Sequence, residues 1–346
     1  MKKVISLFAV FAFSVQLFGW TPPSNVPTPS FPSTTRLRVV GANVLNYLDD
    51  FTASNRSCVD MEQFETKTNK MANVFVYLKA DIVALCEIQQ DDNILSYLVE
   101  AMNNIYGSDV YDYVWDGTTC KTGTGGYVSI KCGYVYRTDK VDYGNQYSTN
   151  PSNNTFKNRM RVVCFTEKKT NQRFVLSLNH FQAKNSDSSG KQRNEQADQL
   201  VKSLSSNNYG DPDILIVGDL NSETEETCVQ KLISAGYDEQ MVKYDEKAYS
   251  YTYYGKRELI DHALANSSMA QQITGAYAYH INTTSNTAYS YADHDCYVVG
   301  LSLGKTDIDA VSEWGDTPHR QLIYRNGQIL VQMGESIYDM MGRKVE

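Results

Sequence analysis

Polar residues able to handle a phosphate or a metal ion stand where apolar, strand-like runs end. Asn43 follows RVVGA, Glu87 follows DIVALC and His180 follows RFVLSLN. In ILIVGDLN, Asp219 and Asn221 come just after Gly218. Asp261 and His262 sit inside LIDHAL, and Asp293 and His294 precede DCYVVGLSL. Singly, most have ordinary explanations: Asn and Asp begin turns, and a lone histidine is more often structural. Glu87 is odder, because a carboxylate ending an apolar run needs a partner or a cation. Asp261 between Ile260 and His262 has no ordinary account. If the strands are neighbours, these residues line one edge of the sheets. Glu87 and Asn43 carry hard oxygens suited to Mg²⁺ or a similar ion that keeps several waters. Two histidines can flank a phosphate, one as base and one as hydrogen-bond donor or acid. A carboxylate beside each would fix its tautomer and raise its basicity. Asn221 can orient water or a phosphate oxygen. Such a set is equipped for metal-assisted hydrolysis of a phosphate ester.

The elements that must position these residues can be read from periodicity. MEQFETKTNKMANVFVYLKA predicts an amphipathic helix with Phe64, Met71, Val74, Phe75 and Leu78 on one stripe. NILSYLVEAMNNI, GKQRNEQADQLVKSLSS and ETEETCVQKLISAGY predict three more, the last ended by Gly236. RLRVVGANVL, DIVALCEI and DILIVGDL read as strands. Residues 111–145 are β-rich, and RVVCF with RFVLSLNHF reads as a hairpin around KKTNQ. ELIDHALA and HDCYVVGLSL close the β-series. The mixture lacks the strict alternation of a parallel barrel. It fits a layered α/β domain over 35–304, with sheets inside and helices outside.

The ends read differently. MKKVISLFAVFAFSVQLFGW has a charged start and a short apolar run, the pattern of a secretory signal peptide, placed here at 1–19. Residues 20–34 lie in a stretch with five of the eight prolines and read as an extended linker without a core. Residues 320–346 hold two strand-like runs around Asn326-Gly327, a separate tail. Cys86, Cys164 and Cys296 lie in apolar runs and are expected as buried thiols. Cys58, Cys120, Cys132 and Cys228 leave room for one disulfide. The net charge of −8 makes a poor general clamp for nucleic acid, whose non-specific binding needs cations. A carboxylate metal site is itself acidic, so a nuclease is not excluded.

GANVLNY, LCEIQ, NHFQAK, GDLNSE, LIDHAL and ADHDCYVVGLSL occur in the order seen in the endonuclease/exonuclease/phosphatase superfamily, which the chain resembles over roughly 36–303. NVLNYLDDF, NHFQAK and YSYTYYGKRELIDHAL are most similar to its secreted bacterial extracellular nucleases. The resemblance implies a four-layer α/β sandwich, with two mixed sheets face to face and helices outside. It implies Asn43, Glu87 and Asp293 at a metal site taking Mg²⁺, with Mn²⁺ or Ca²⁺ as substitutes. It implies catalytic roles for His180, Asp219, Asn221, Asp261 and His294, with His294 as general base and Asp261 as its partner. Arg159, Lys184 and Asn221 would contact phosphate, although Met160 and Arg161 stand where the family usually has prolines.

The resulting expectation is a secreted, periplasmic or cell-surface metal-dependent nuclease. It would act on DNA as a monomer without a stable protein partner. A lipid head-group or small-ester phosphodiesterase or phosphatase is the alternative; no apolar hairpin for membrane contact is evident. A non-catalytic surface binding protein is disfavoured, since no motif position is disabled. The tail resembles C-terminal sorting elements of secreted Bacteroidetes proteins, with Tyr338, Gly342 and Val345 in the pattern.

Overall fold

The computed structural model describes residues 20–91, 93–117, 126–148, 159–206, 209–283, 288–304, 320–325, 328–333, 336–338 and 345. The predicted signal peptide lies outside them. The chain begins with β1 (Leu37–Tyr47), helix α1 (Met61–Tyr77), β2 (Ile82–Gln89), helix α2 (Ile94–Tyr106), β3 (Tyr111–Tyr113) and β4 (Ile130–Arg137). Next come β5 (Val141–Ser148), β6 (Met160–Glu167), β7 (Arg173–His180), helix α3 (Lys191–Ser206), β8 (Ile214–Asp219) and helix α4 (Thr227–Ser234). Then follow β9 (Tyr237–Glu239), helix α5 (Gln240–Tyr244), β10 (Tyr251–Tyr253) and β11 (Lys256–Glu258). The domain ends with β12 (Asp261–Asn266), helix α6 (Ser267–Ala270), β13 (Ile273–Tyr279) and β14 (Cys296–Leu301).

Two six-stranded mixed sheets run β13-β14-β1-β2-β4-β3 and β5-β6-β7-β8-β12-β9. Alternation along each strand sorts its side chains into layers. Val39, Ile82, Ala84 and Cys86 from one sheet meet Leu176, Leu178, Leu215, Val217 and Ala263 from the other. The opposite face of the first sheet packs Val40, Val83 and Leu85 against Phe64, Met71, Val74 and Phe75 of α1 and Leu98 and Met102 of α2. The opposite face of the second packs Val175, Ile216 and Leu264 against α3 and α4. The result is the four-layer sandwich that the resemblance implied.

Several expectations need correction. The proline-rich segment is not without a core: Val26 is buried, and Trp20 and Phe31 pack on the same cluster. Trp20 meets Tyr77 edge-on at 5.2 Å. An extended chain with an apolar residue every few positions can lie along a domain as readily as it can span a gap. The fourth helix begins at Thr227, because Glu223–Glu226 form a turn closed by Glu226 N to Glu223 O, 2.9 Å. The strand read as ELIDHALA begins only at Asp261, Glu258 belonging to a separate hairpin. β9 and β13 were not foreseen. Cys58, Cys86, Cys132, Cys164, Cys228 and Cys296 are buried free thiols, and Cys120 lies outside the described residues. Residues 305–346 form a second unit, in which β15 (Arg320–Arg325), β16 (Gln328–Met333) and β17 (Ser336–Tyr338) make a three-stranded sheet, one strand more than expected.

Candidate active site

The same alternation that builds the core places the polar residues. Asn43, His180, Asp219 and Asp261 share the inter-sheet parity of Val39, Leu178, Val217 and Ala263, and lie beyond the apolar part of their strands. In the second sheet His180 pairs in register with Asp219, and Asp219 with Asp261. Three neighbouring strands therefore present polar side chains in one row. Gly218 makes this approach feasible. Its φ is +129°, and an added Cβ would collide with the Asn179 carbonyl oxygen on the adjacent strand. Its N–H donates to Tyr297 Oη at 2.7 Å. Tyr297 in turn occupies the space that a side chain at Gly41 would fill.

Glu87 reaches the site differently. By alternation from Cys86 it would face the helices. Its φ is +65°, and the β2–β4 register shifts between Leu85 and Ile88. Ile88 consequently packs on the helix side, although Ile82, Ala84 and Cys86 face the other sheet. The partner strand β1 is also irregular, with Leu45 at φ +50° and Asn46 at +47°. Asn46 N donates to Glu87 Oε2 at 3.0 Å. Paired irregularities of this kind re-aim a side chain at the expense of backbone strain.

Asn43 Nδ2 donates to Glu87 Oε1 (3.1 Å) and Asp219 Oδ2 (2.9 Å). Its Oδ1 accepts from Leu45 N at 3.0 Å. Asn43 therefore ties two carboxylates together, and its amide would have to turn over to offer the expected oxygen ligand. His180 Nε2 lies 3.6 Å from both Glu87 Oε1 and Asp219 Oδ2. Burial pushes its imidazole down to about 3, helped by the positive charges of Arg159 and His294. A histidine held neutral keeps one N–H to donate and one nitrogen to accept, which leaves it the hydrogen-bond-donor role that the sequence offered beside that of acid. Burial pushes the Asp219 carboxyl up to about 7, and the Asp261 charge adds to that rise.

His294 Nδ1 lies 2.7 Å from Asp261 Oδ2, and its Nε2 is 4.0 Å from Asp219 Oδ2. Burial opposes a charge on this ring, but Asp261, Asp219 and Asp293 outweigh it and hold His294 well above the ordinary histidine range. Asp261 is placed by Ser250, whose Oγ accepts from Asp261 N at 3.1 Å. Asn221 N donates to Asp219 Oδ1 (2.8 Å), and its Nδ2 donates to Asp219 Oδ2 and the Phe181 carbonyl (both 3.2 Å). The turn after β8 thus uses Asn221 to fix the Asp219 carboxylate.

These side chains open into a cleft of about 700 Å³, also lined by Arg159, Gln182, Lys184, Tyr251, Tyr253 and Asp293. Arg159 donates from Nη1 to Gln182 Oε1 at 3.3 Å and remains at the cleft wall. Lys184 does not match its expected role as it stands: Nζ is paired with Glu226 at 2.7 Å and lies 3.9 Å from Glu258. Asp293 is exposed and belongs to neither tight cluster, because it lies in a bend rather than ending a strand. Tyr251 was not singled out from the sequence. Its ring lies 4.7 Å from that of His294, and the two residues share a β-bridge. The signal was the tyrosine run YSYTYYG.

Among the described residues two clusters can hold a metal ion: Glu87, His180 and Asp219, and Asp219, Asp261 and His294, with ligand atoms within 4.8 Å of one another in each. The first fits a divalent cation. Its two carboxylates share one amide, and no Lys or Arg pairs with either among the described residues. Asp261 Oδ1 is buried with no hydrogen-bond partner among them, a further excess of negative charge in the same recess.

The model of the endonuclease/exonuclease/phosphatase family matches residues 44–292. This chain belongs to that family. Solved structures with the same fold include an endonuclease/exonuclease/phosphatase from Bacteroides vulgatus, 14% identical with a TM-score of 0.55, covering 77% of this chain and 98% of that one. The catalytic domain of human nocturnin, with bound sulfate, is 13% identical with a TM-score of 0.54, covering 79% and 96%. A mannosyl-6-phosphatase from Bacteroides thetaiotaomicron is 17% identical with a TM-score of 0.51, covering 77% and 99%. No curated protein sequence matches the chain. As a member of this family it is a phosphoesterase-type hydrolase, with a candidate centre for the divalent metal typical of such enzymes.

Proposed function

We propose that this chain is a secreted, Mg²⁺-dependent phosphodiesterase that cleaves DNA by histidine-assisted attack of water. The observation that carries the reading is the pairing of His294 with Asp261 at 2.7 Å, its second nitrogen directed towards the Glu87–Asn43–Asp219 cluster. Glu87 and Asp219 would hold the cation. When bound, the ion supplies charge stabilisation at the phosphate oxygens. Asp261 fixes the His294 tautomer with Nε2 towards the cleft, where it takes the proton of the attacking water. Asp261 is the largest of the charges that hold His294 protonated, and Asp219 is the next; a cation held by Asp219 would offset that second charge and so favour the free-base form the step needs. Neutral His180 and Arg159 face the same space and contact the phosphate. DNA as substrate is supported by the likeness of NVLNYLDDF, NHFQAK and the LIDHAL region to extracellular nucleases.

The test is release of acid-soluble nucleotides from plasmid DNA with Mg²⁺, beside phospholipid and sugar-phosphate controls. Release from DNA alone is the expected result; turnover of only a lipid or sugar ester would replace DNA with that substrate. Export rests on the N-terminal pattern, and the tail is proposed as a sorting element. Deleting 320–346 should leave hydrolysis and Tm unchanged while altering where the protein resides, because no site residue lies beyond His294. A large fall in Tm would assign the tail to the fold instead.

A further inference from the structure

The hairpin β10–β11 carries aromatic rings that the hydrolytic step does not use. Its loop is Tyr254-Gly255, with φ of +44° and +83°. Two successive left-handed residues make the tight two-residue turn that suits a hairpin, where Asn or Gly usually takes the first position. A bulky residue at positive φ is strained. Tyr254 bears that strain while 94% exposed, so burial does not account for it. Its ring meets Tyr253 edge-on at 4.5 Å. Tyr253 is itself 54% exposed, lines the cleft, and lies 6.4 Å from Tyr251 with the rings 18° from parallel. Tyr251 touches His294. A ladder of rings thus leads outward from His294, with Tyr254 bracing its outer end.

We infer that this ladder is a stacking subsite for an unpaired nucleobase next to the scissile phosphate, Tyr253 being its main platform. The inference rests on the phosphodiesterase reading and names what selects the substrate. A base stands one sugar away from its phosphate, so a base whose phosphate sits at His294 would fall one step out along the cleft. Tyrosine faces take any base, because every base offers a π-face. The flanking residues, Thr252, Lys256 and Arg257, are polar or cationic and do not form an apolar wedge for lipid. Lys256 pairs with Glu223 at 2.8 Å, which ties the hairpin to the turn after β8, and with Glu258 of its own strand at 3.0 Å.

The experiment compares two diesters, one with a base and one with hydrogen in its place: the methyl esters of thymidine 5′-phosphate and of 1,2-dideoxyribose 5-phosphate. Turnover is followed by phosphorus NMR for the wild type, Tyr253→Ala and Tyr253→Phe. The wild type should prefer the thymidine ester. Tyr253→Ala should lower kcat/KM for it by about 5- to 150-fold more than for the base-free ester, the range expected for loss of one stacked base. Tyr253→Phe should retain the preference. Equal losses on both esters, or no loss, overturn the proposal. If neither ester turns over, plasmid hydrolysis alone decides the phosphodiesterase reading, and equilibrium dialysis of a thymidine dinucleotide decides on the ladder. Weaker binding by Tyr253→Ala than by Tyr253→Phe then supports it, and equal binding overturns it.

Discussion

Adjacent residues on β12 belong to two histidine–carboxylate pairs with opposite fates. Asp261 faces the other sheet and, buried behind the cleft, pairs with His294 Nδ1 at 2.7 Å. His262 faces the helix side and pairs through Nδ1 with Glu239 Oε2 at 2.6 Å. The pairs differ in what the other ring nitrogen meets. His262 Nε2 lies 2.7 Å from the Ser222 carbonyl oxygen, which can only accept. With Glu239 ionised both its nitrogens donate, and His262 is then an imidazolium locked between two acceptors. Burial opposes that charge, while Glu239 and the Ser222 carbonyl hold its pKa above the ordinary value. Among the described residues, His294 Nε2 has only Asp219, at 4.0 Å, and the open cleft before it. A histidine–carboxylate pair is a structural tie when its second nitrogen is capped, and a proton carrier when that nitrogen faces space where a water can stand.

The sharpest test removes what only the cleft pair needs. Chelation with EDTA should abolish hydrolysis and Mg²⁺ or Mn²⁺ should restore it, with the fold intact by circular dichroism throughout. Glu87→Gln should behave like chelation. Full turnover in EDTA would sink the metal reading.

Next come the histidines. His294→Ala should lower the rate by about 10²–10⁴-fold, the usual contribution of a general base. Asp261→Asn should be non-additive with it, because the two act as one unit. Independent, multiplicative losses in the double variant would show that they are not partners.

The outer pair should respond in stability. Glu239→Gln or His262→Gln strands one member of a buried ion pair, which costs about 3–5 kcal/mol in comparable cases. Denaturant unfolding should report that loss. A variant as stable as the wild type would mean the pair is not ionised.

The smallest effect is one of pH. A histidine raised above its ordinary value of about 6.5 stabilises the fold fully below that value. That contribution is lost as pH rises through the higher folded value. The gap in Tm between wild type and His262→Gln should therefore narrow in alkaline solution. Buried, neutral His180 has the opposite sign: its contribution is present above about 6.5 and is lost as pH falls towards about 3. A gap at His262 that stays constant with pH would contradict the imidazolium assignment.

Much of this was legible in the residues. Strand-end polar residues such as Asp219 and His180 declare themselves, because a long apolar run has one period and its interruption stands out. α1 and α2 were legible for the same reason, their apolar stripes following a helical repeat. The short elements were not. β9, β10 and β11 are three residues each, too short for a period to emerge. Glu87 was suspected as a ligand, but nothing local announces that a bulge turns it from the helix face to the cleft. That turn requires a partner strand, β1, with its own irregularity at Leu45 and Asn46.

The division between Asp261 and His262 shows where sequence alone stops. Sequence determined that one follows the other on a strand, so that they must face opposite sides. It also determined which residue types were available, and so the class of chemistry. Only the tertiary structure decided that Asp261 would find a histidine 33 positions away and His262 a glutamate 23 positions back. It alone decided that a carbonyl oxygen would close off one ring while the other faced the cleft. The physical reason is that a side chain's chemistry depends on its second partner, and that partner arrives through sheet register and strand irregularity rather than through neighbours in the chain.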